Sequence, residues 1–225
     1  MYLFAVFCYA TVWASFSSCY AYRYAHSESI FYPGSYCDYC HHPLNFWQLI
    51  PILGFCLQRG RCYYCHHKIS LHSTLVELTF GLYMLSLFAS KAPHLWASLS
   101  IFCAWSLLLA LSDYLTQSVP AFELYLGGLV LLTQKLSWPP LEPGCSLCFL
   151  VILVGATYLQ LLGSGDLIYL GFLWASFGIQ FLLATTCLAS CLALCYFSLK
   201  KDRPTSLAFI PFLTTASFIL LYFLV

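Results

Sequence analysis

Residues 167–197 read LIYLGFLWASFGIQFLLATTCLASCLALCYF, without one Asp, Glu, Lys or Arg. A helix needs roughly 20 mostly apolar residues to cross the hydrocarbon layer. This run is too long for one crossing and too short for two comfortable ones, and Gly178 is the expected break. Working outward, further apolar runs fall at about 2–20, 73–90, 95–112, 121–134, 146–162 and 206–225. With the central run divided into 167–178 and 179–197, the expectation is eight crossings. Six or seven follow if those two, or 121–134, are re-entrant or fused. The composition agrees: 61% of residues are hydrophobic and 8% charged, where a soluble protein carries about a quarter charged. The mean hydropathy is +0.82. Such a chain has too little polar surface to face water, so the expected fold class is an all-α polytopic membrane helix bundle. A net charge of +1 excludes nucleic-acid binding by bulk electrostatics, so no nucleic-acid partner is expected.

The first run lacks a basic residue before its apolar core, and the first arginine, Arg23, follows it. That order predicts an outside N-terminus, an uncleaved first helix and a cytoplasmic loop after it. With eight crossings, Arg23, Arg59, Arg61, Lys68, Lys200, Lys201 and Arg203 fall inside, against Lys91 and Lys135 outside. The one long polar insert, 21–72, also holds His26, His41, His42, His66, His67 and His72.

Thirteen cysteines sort by surroundings. Cys8, Cys19, Cys103, Cys187, Cys191 and Cys195 lie in apolar runs, where the thiol behaves as a small hydrophobe. Of these, Cys187, Cys191 and Cys195 recur on one helix face, which also admits a soft-metal site. Cys145 and Cys148, on the expected outer side, suit a disulfide or two buried thiols equally. Cys37-Asp-Tyr-Cys40 and Cys62-Tyr-Tyr-Cys65 are two CxxC knuckles inside the polar insert, each followed by two histidines. Four thiolates in this pattern suit a closed tetrahedral Zn²⁺ site of structural type. Cytoplasmic thiols stay reduced, which favours metal over disulfides. The insert is too small and polar for a core of its own, so the metal supplies much of its folding energy.

Two aspartates stand where a bilayer disfavours charge. Asp113 ends the third run in Leu-Ser-Asp113-Tyr-Leu-Thr-Gln-Ser-Val-Pro120, and Asp166 follows Gly163-Ser-Gly165. Counting crossings puts both on the cytoplasmic side. Paired carboxylates are what hydrolysis of a peptide bond requires: one takes a proton from water while the other donates to the carbonyl or leaving amine. Gly163 and Gly165 let a substrate backbone approach, and Pro120 ends the turn after Asp113 and sets the loop angle. The plainer alternative has each Asp capping the helix that follows it, Asp166 as an N-cap.

Together these residues resemble the type IV prepilin peptidase family of GxGD intramembrane aspartyl proteases. The resemblance covers most of the chain. It rests on Asp113 through Val119-Pro120 with Gln117 between, Gly163 to Asp166, and the two knuckles. Leu49-Ile50-Pro51 and Arg59-Gly60 stand between the knuckles, and Ile69-Ser70 and Leu75-Val76-Glu77-Leu78 follow them. Ser15-Phe16 with Tyr22-Arg23 echo the N-terminal motif, and Pro211-Phe212 the C-terminal one. The chain departs at Ile168, where the family usually has Lys, and at Ser18, Asp38 and Ser73-Thr74.

The resemblance implies an aspartyl endopeptidase with Asp113 and Asp166 as catalytic residues and Gly163, Gly165 and Pro120 as a substrate-positioning motif. Its substrates are prepilin or pseudopilin precursors, cut after a glycine at the cytoplasmic face of a bacterial inner membrane, in pilus assembly, protein secretion or competence. Members with the cysteine loop often also methylate the new N-terminus using S-adenosylmethionine; no motif here carries that activity, and Gly127-Gly128 is too little for a cofactor loop. The implied organisation is a first transmembrane helix at 1–20, a cytoplasmic tetra-cysteine zinc loop at 21–72, and a transmembrane aspartyl protease domain at 73–225. The competing reading is a membrane transporter using Asp113 and Asp166 as proton or cation sites. A zinc-knuckle membrane adapter without chemistry is the third.

Overall fold

The structure is a computed structural model that describes residues 2–133, 151, 154, 155, 158, 159, 163–200 and 207–224. Among them there is no strand, only the isolated bridges Tyr36–Pro43 and Arg61–Lys68. The helices are α1 (Tyr2–Ala25), α2 (Leu53–Leu57), α3 (Leu71–Ser90), α4 (Trp96–Thr116), α5 (Ala121–Thr133), α6 (Ser164–Leu199) and α7 (Ile210–Leu224). Among the described residues four segments are long and apolar enough to cross a membrane: Tyr2–Ala25, Leu71–Ser90, Pro93–Thr116 and Ser164–Leu199. Two shorter apolar helices, within α5 and α7, accompany them. The described set is all-helical, as expected. The 167–178 and 179–197 runs form one 36-residue helix with a kink, and the 121–134 and 206–225 runs give helices of 13 and 15 residues. The 146–162 run lies largely outside the described residues, as do Lys135, Cys145, Cys148, Lys201, Asp202 and Arg203.

The kink falls at Gly178, whose φ of 81° and ψ of 174° belong to a region only glycine occupies without strain. A Cβ there would meet nothing within 4 Å. The backbone conformation alone therefore demands glycine.

The chain divides into two compact units, Met1–Pro93 and His94–Val225. The first unit includes α3 because α3 packs along α1. In that first unit α1 offers a face of small buried residues, Ala10, Ala14, Ser17 and Ala21, and α3 answers with Phe80, Met84, Leu87 and Phe88. Small residues let two membrane helices approach closely where hydrophobicity alone gives no preference. Gly81 marks the tightest point: a Cβ there would lie 2.8 Å from Thr11 Cγ2 and 2.9 Å from Phe7 Cε2. α1 runs past residue 20 to Ala25, so Arg23 belongs to the helix and not to the loop beyond it.

In the second unit α4, α6 and α7 pack together, with α5 against α4 and α6. Its centre is aromatic. Trp105 of α4 stacks on Tyr169 of α6 with centroids 5.2 Å apart and meets Phe172 edge-on at 5.9 Å. Gly127 and Gly128 of α5 receive the rings of Trp105 and Phe172, and a Cβ at either would collide with them. Tyr169, fully buried, donates to Ser106 Oγ at 3.0 Å, and Thr214 Oγ1 donates to the Ser106 carbonyl at 3.3 Å. These bonds tie α4, α6 and α7 through otherwise costly buried hydroxyls.

Candidate functional site

The two knuckles of the first unit fold as near copies. In each, the first cysteine's N–H bonds the second histidine's carbonyl: Cys37 to His42 at 3.0 Å, Cys62 to His67 at 2.9 Å. The first histidine's N–H returns to the first cysteine's carbonyl, His41 to Cys37 at 2.8 Å and His66 to Cys62 at 3.0 Å. That turn requires a left-handed residue after the second cysteine, and His41 and His66 take φ of 55° and 57°. The knuckles then face each other. All four cysteine sulfurs lie within 4.8 Å of one another, and Cys37 Sγ is 3.9 Å from Cys65 Sγ. A zinc–sulfur bond of about 2.3 Å gives a tetrahedral edge of about 3.8 Å, so the quartet has the size and donor set for Zn²⁺.

The histidines serve elsewhere. His67 stacks on Tyr39 with centroids 4.2 Å apart, and His42 meets Tyr64 at 3.6 Å, so each knuckle's second histidine covers a tyrosine of the other. Among the described residues this quartet is the one gathering of three or more potential metal ligands, and Cys187, Cys191 and Cys195, all exposed, form none. Burial opposes ionisation of the Cys62 thiol, but the Cys65 and Tyr64 backbone N–H groups, with the Cys37 and Cys65 thiols, bring it down to about 7. At Cys65 the His67 backbone N–H favours the thiolate, yet loss of water and the Cys40, Cys62 and Cys37 sulfurs outweigh it and push the thiol up to about 12. One thiolate forms readily and resists the next; a dication offsets that repulsion.

Behind the knuckles, the loop is fastened to α3 by Glu77. Its Oε2 accepts from the Ile52 N–H at 2.8 Å and its Oε1 from Ser73 Oγ at 3.3 Å. Ile52 is held at φ 62°, a conformation uncommon for a branched residue.

In the second unit, Asp113 occupies the last turn of α4 and is buried. It does not cap the following helix. Its Oδ2 accepts from the N–H of Ile210, the first residue of α7, at 3.1 Å. Pro120 does not end α4 either: Gln117 does, in the left-handed conformation with its N–H on the Asp113 carbonyl at 2.8 Å. Pro120 instead precedes α5, and its carbonyl accepts from Leu124 N–H at 3.2 Å. Asp166 lies in the first turn of α6, where Gly163 is the N-cap, so the capping position expected for the aspartate belongs to the glycine. The half-buried Asp166 carboxylate reaches back to the Gly163 backbone N–H. A Cβ on Gly163 would come 3.1 Å from Asp166 Oδ2, and one on Gly165 would touch Val119 at 3.9 Å. The GxGD segment thus lies against Val119, and Asp166 is within electrostatic reach of Asp113.

Residues 8–91 match the family described as "Bacterial Peptidase A24 N-terminal domain". A protein of Neisseria gonorrhoeae named "Prepilin leader peptidase/N-methyltransferase" is 34% identical to this chain over 90 residues, which are 39% of the chain and 31% of the relative. Both findings are similarities of part of the chain to prepilin peptidases. The chain spans less than a third of that relative's length. No solved structure matches. Neither match favours a transporter. With its long apolar helices, the prepilin peptidase resemblance marks a membrane protein. The family match coincides with the first unit and its cysteine quartet; both aspartates lie beyond it.

One buried acid of the second unit escaped the sequence reading. Glu123, in the first turn of α5, is 7% exposed; Ser112 Oγ, beside Asp113, lies 3.5 Å from its Oε2, and Trp105 Nε1 donates to its carbonyl at 3.0 Å. An acid inside an apolar run was the available signal.

Proposed function

We propose that this chain is a membrane-embedded aspartyl endopeptidase that removes the leader from type IV prepilin or pseudopilin precursors at the cytoplasmic membrane face. The reading is supported above all by one observation. Asp113 and Asp166, far apart in sequence and both on apolar helices, come within electrostatic reach where Gly165 lies against Val119. One carboxylate takes a proton from water, whose oxygen attacks the scissile carbonyl; the other gives its proton to the leaving amine. Two carboxylates that work on one water need one proton between them, which supplies both roles at once. The Ile210 N–H holds Asp113 Oδ2, leaving Oδ1 for the water. Gly163 and Gly165 leave room for an extended substrate backbone. The zinc is structural: Cys37, Cys40, Cys62 and Cys65 fill a tetrahedron and leave no position for substrate.

The proposed setting is a bacterial inner membrane crossed several times, N-terminus outside. Methylation of the released amine, with S-adenosylmethionine as donor, rests on the relative's name. We assign it no residues, since Gly127 and Gly128 are filled by the rings of Trp105 and Phe172 and offer no cradle.

The test is incubation of the purified chain, in detergent or liposomes, with a prepilin, reading the product by mass. The expected result is a single cut after the leader glycine, lost in Asp113→Asn and in Asp166→Asn. An uncut precursor with the intact chain, or a cut that survives both substitutions, overturns the proposal.

A further inference from the structure

A cavity of about 320 Å³ opens in the first unit between α1 and the loop that follows it. Val12, Phe16, Cys19 and Tyr20 line it along one stripe of α1, and Arg23 stands at the stripe's end. The spacing of these residues puts them on one helix face. Phe31 and Leu49 complete the mouth, and both are exposed, Phe31 at 92%. Arg23 itself is 6% exposed. Its Nη1 donates to the Ser29 and Ile30 carbonyls at 3.1 and 3.0 Å, and its Nη2 to the Gly34 carbonyl at 3.1 Å.

Those bonds explain how Arg23 shapes the loop, and the Tyr36 ring lies 5.9 Å from its guanidinium carbon, but none of these partners carries a full negative charge. Carbonyl dipoles offset part of a full positive charge, and burying an unpaired one is costly. Among the described residues no carboxylate makes ion-pair contact with Arg23; Glu28, near in sequence, accepts from the Tyr36 hydroxyl at 2.9 Å. The guanidinium has more N–H groups than these carbonyls use, in a fork suited to phosphate. The helix that carries it is long and apolar enough to span a bilayer. The apolar stripe therefore lies at acyl-chain depth, with the cation at its end.

We propose that the first unit holds one anionic phospholipid, its phosphate on Arg23 and an acyl chain along Val12, Phe16, Cys19 and Tyr20 of α1. The site is independent of the protease reading, since it uses neither aspartate. The anionic headgroup pairs with the guanidinium, and the chain fills the aromatic and aliphatic groove along α1. A zwitterionic lipid brings its own cation beside Arg23 and is the poorer fit.

The experiment purifies the full chain from liposomes holding equal phosphatidylglycerol and phosphatidylcholine, washes in mild detergent, and measures retained lipid and zinc per chain. The expected result is about one phosphatidylglycerol per chain, in clear preference to phosphatidylcholine, not displaced by excess inorganic phosphate. Ser15→Trp, which fills the cavity and leaves Arg23 in place, lowers retained phosphatidylglycerol at least about tenfold, as does Arg23→Gln. Zinc content reports the fold of the loop; if Arg23→Gln loses zinc, Ser15→Trp alone decides. Equal retention of the two lipids, full retention in a zinc-replete Ser15→Trp, or displacement by phosphate each overturns the proposal.

Discussion

Asp113 makes a bond that a purely structural residue would also make, so its substitutions must separate catalysis from support of α7. Asp113→Asn keeps a carbonyl oxygen able to accept from the Ile210 N–H, now bonded at 3.1 Å. Its cost in stability is about 1 kcal/mol, the difference between an acceptor carrying charge and a neutral one. Asp113→Ala removes the acceptor and strands the N–H of Ile210, a residue 1% exposed. A buried donor left without a partner costs about 1–3 kcal/mol, and the shortened side chain adds to it. The expected order in thermal unfolding is therefore wild type, Asn, Ala, with both variants inserted. Cleavage follows a different order. An amide neither takes a proton from water nor returns one to the amine, so Asn and Ala both lose at least about 10²–10⁴-fold, whatever their stability. Adding Asp166→Asn to Asp113→Asn lowers activity little further, because the pair acts as one unit. The assay is prepilin cleavage followed by mass, beside unfolding of the same preparations. An Asn variant that cuts normally, paired with an Ala variant that unfolds, would refute the catalytic role and leave Asp113 as a cap of α7.

Metal analysis should find one zinc per chain, and Cys62→Ser should remove it and expose the remaining knuckle thiols to alkylation, since structural zinc contributes roughly 10–16 kcal/mol in metal-folded peptides. A zinc-free chain whose loop keeps its protease resistance would sink the assignment. Gly178→Ala should cost about 1–3 kcal/mol although a Cβ there meets nothing within 4 Å, because the backbone region is closed to other residues; an unchanged melting temperature would show that α6 straightens freely. Reporter tags in 21–72 or after Lys200 should read as cytoplasmic and one near Lys91 as external; a tag near Lys91 that reads as cytoplasmic breaks the orientation expected from the basic residues.

How much of this was legible beforehand depends on the range over which each signal acts. The apolar runs, the break at Gly178 and the two CxxC spacings are local. The sequence alone therefore determined that the chain is a helical membrane protein, where its longest helix bends, and which four thiols meet. Helix count and length were less legible: the runs at 121–134 and 206–225 are apolar throughout, yet their helices span 13 and 15 residues.

Partner choice was not legible at all. The small-residue stripe of α1 names no partner, and runs rich in Leu and Phe on every side rank no neighbour over another, so only packing decided that α3 joins α1 and that α7 joins α4. The polar contacts depend on that packing. The Ile210 N–H reaches Asp113 across nearly half the chain, and Tyr169 reaches Ser106, because a buried polar group takes whichever partner the neighbouring helix presents. The histidines depend on tertiary structure too. Their spacing allowed them as ligands, but once four sulfurs close the tetrahedron, the exposed His42 and His67 rings pack on Tyr64 and Tyr39 of the opposite knuckle.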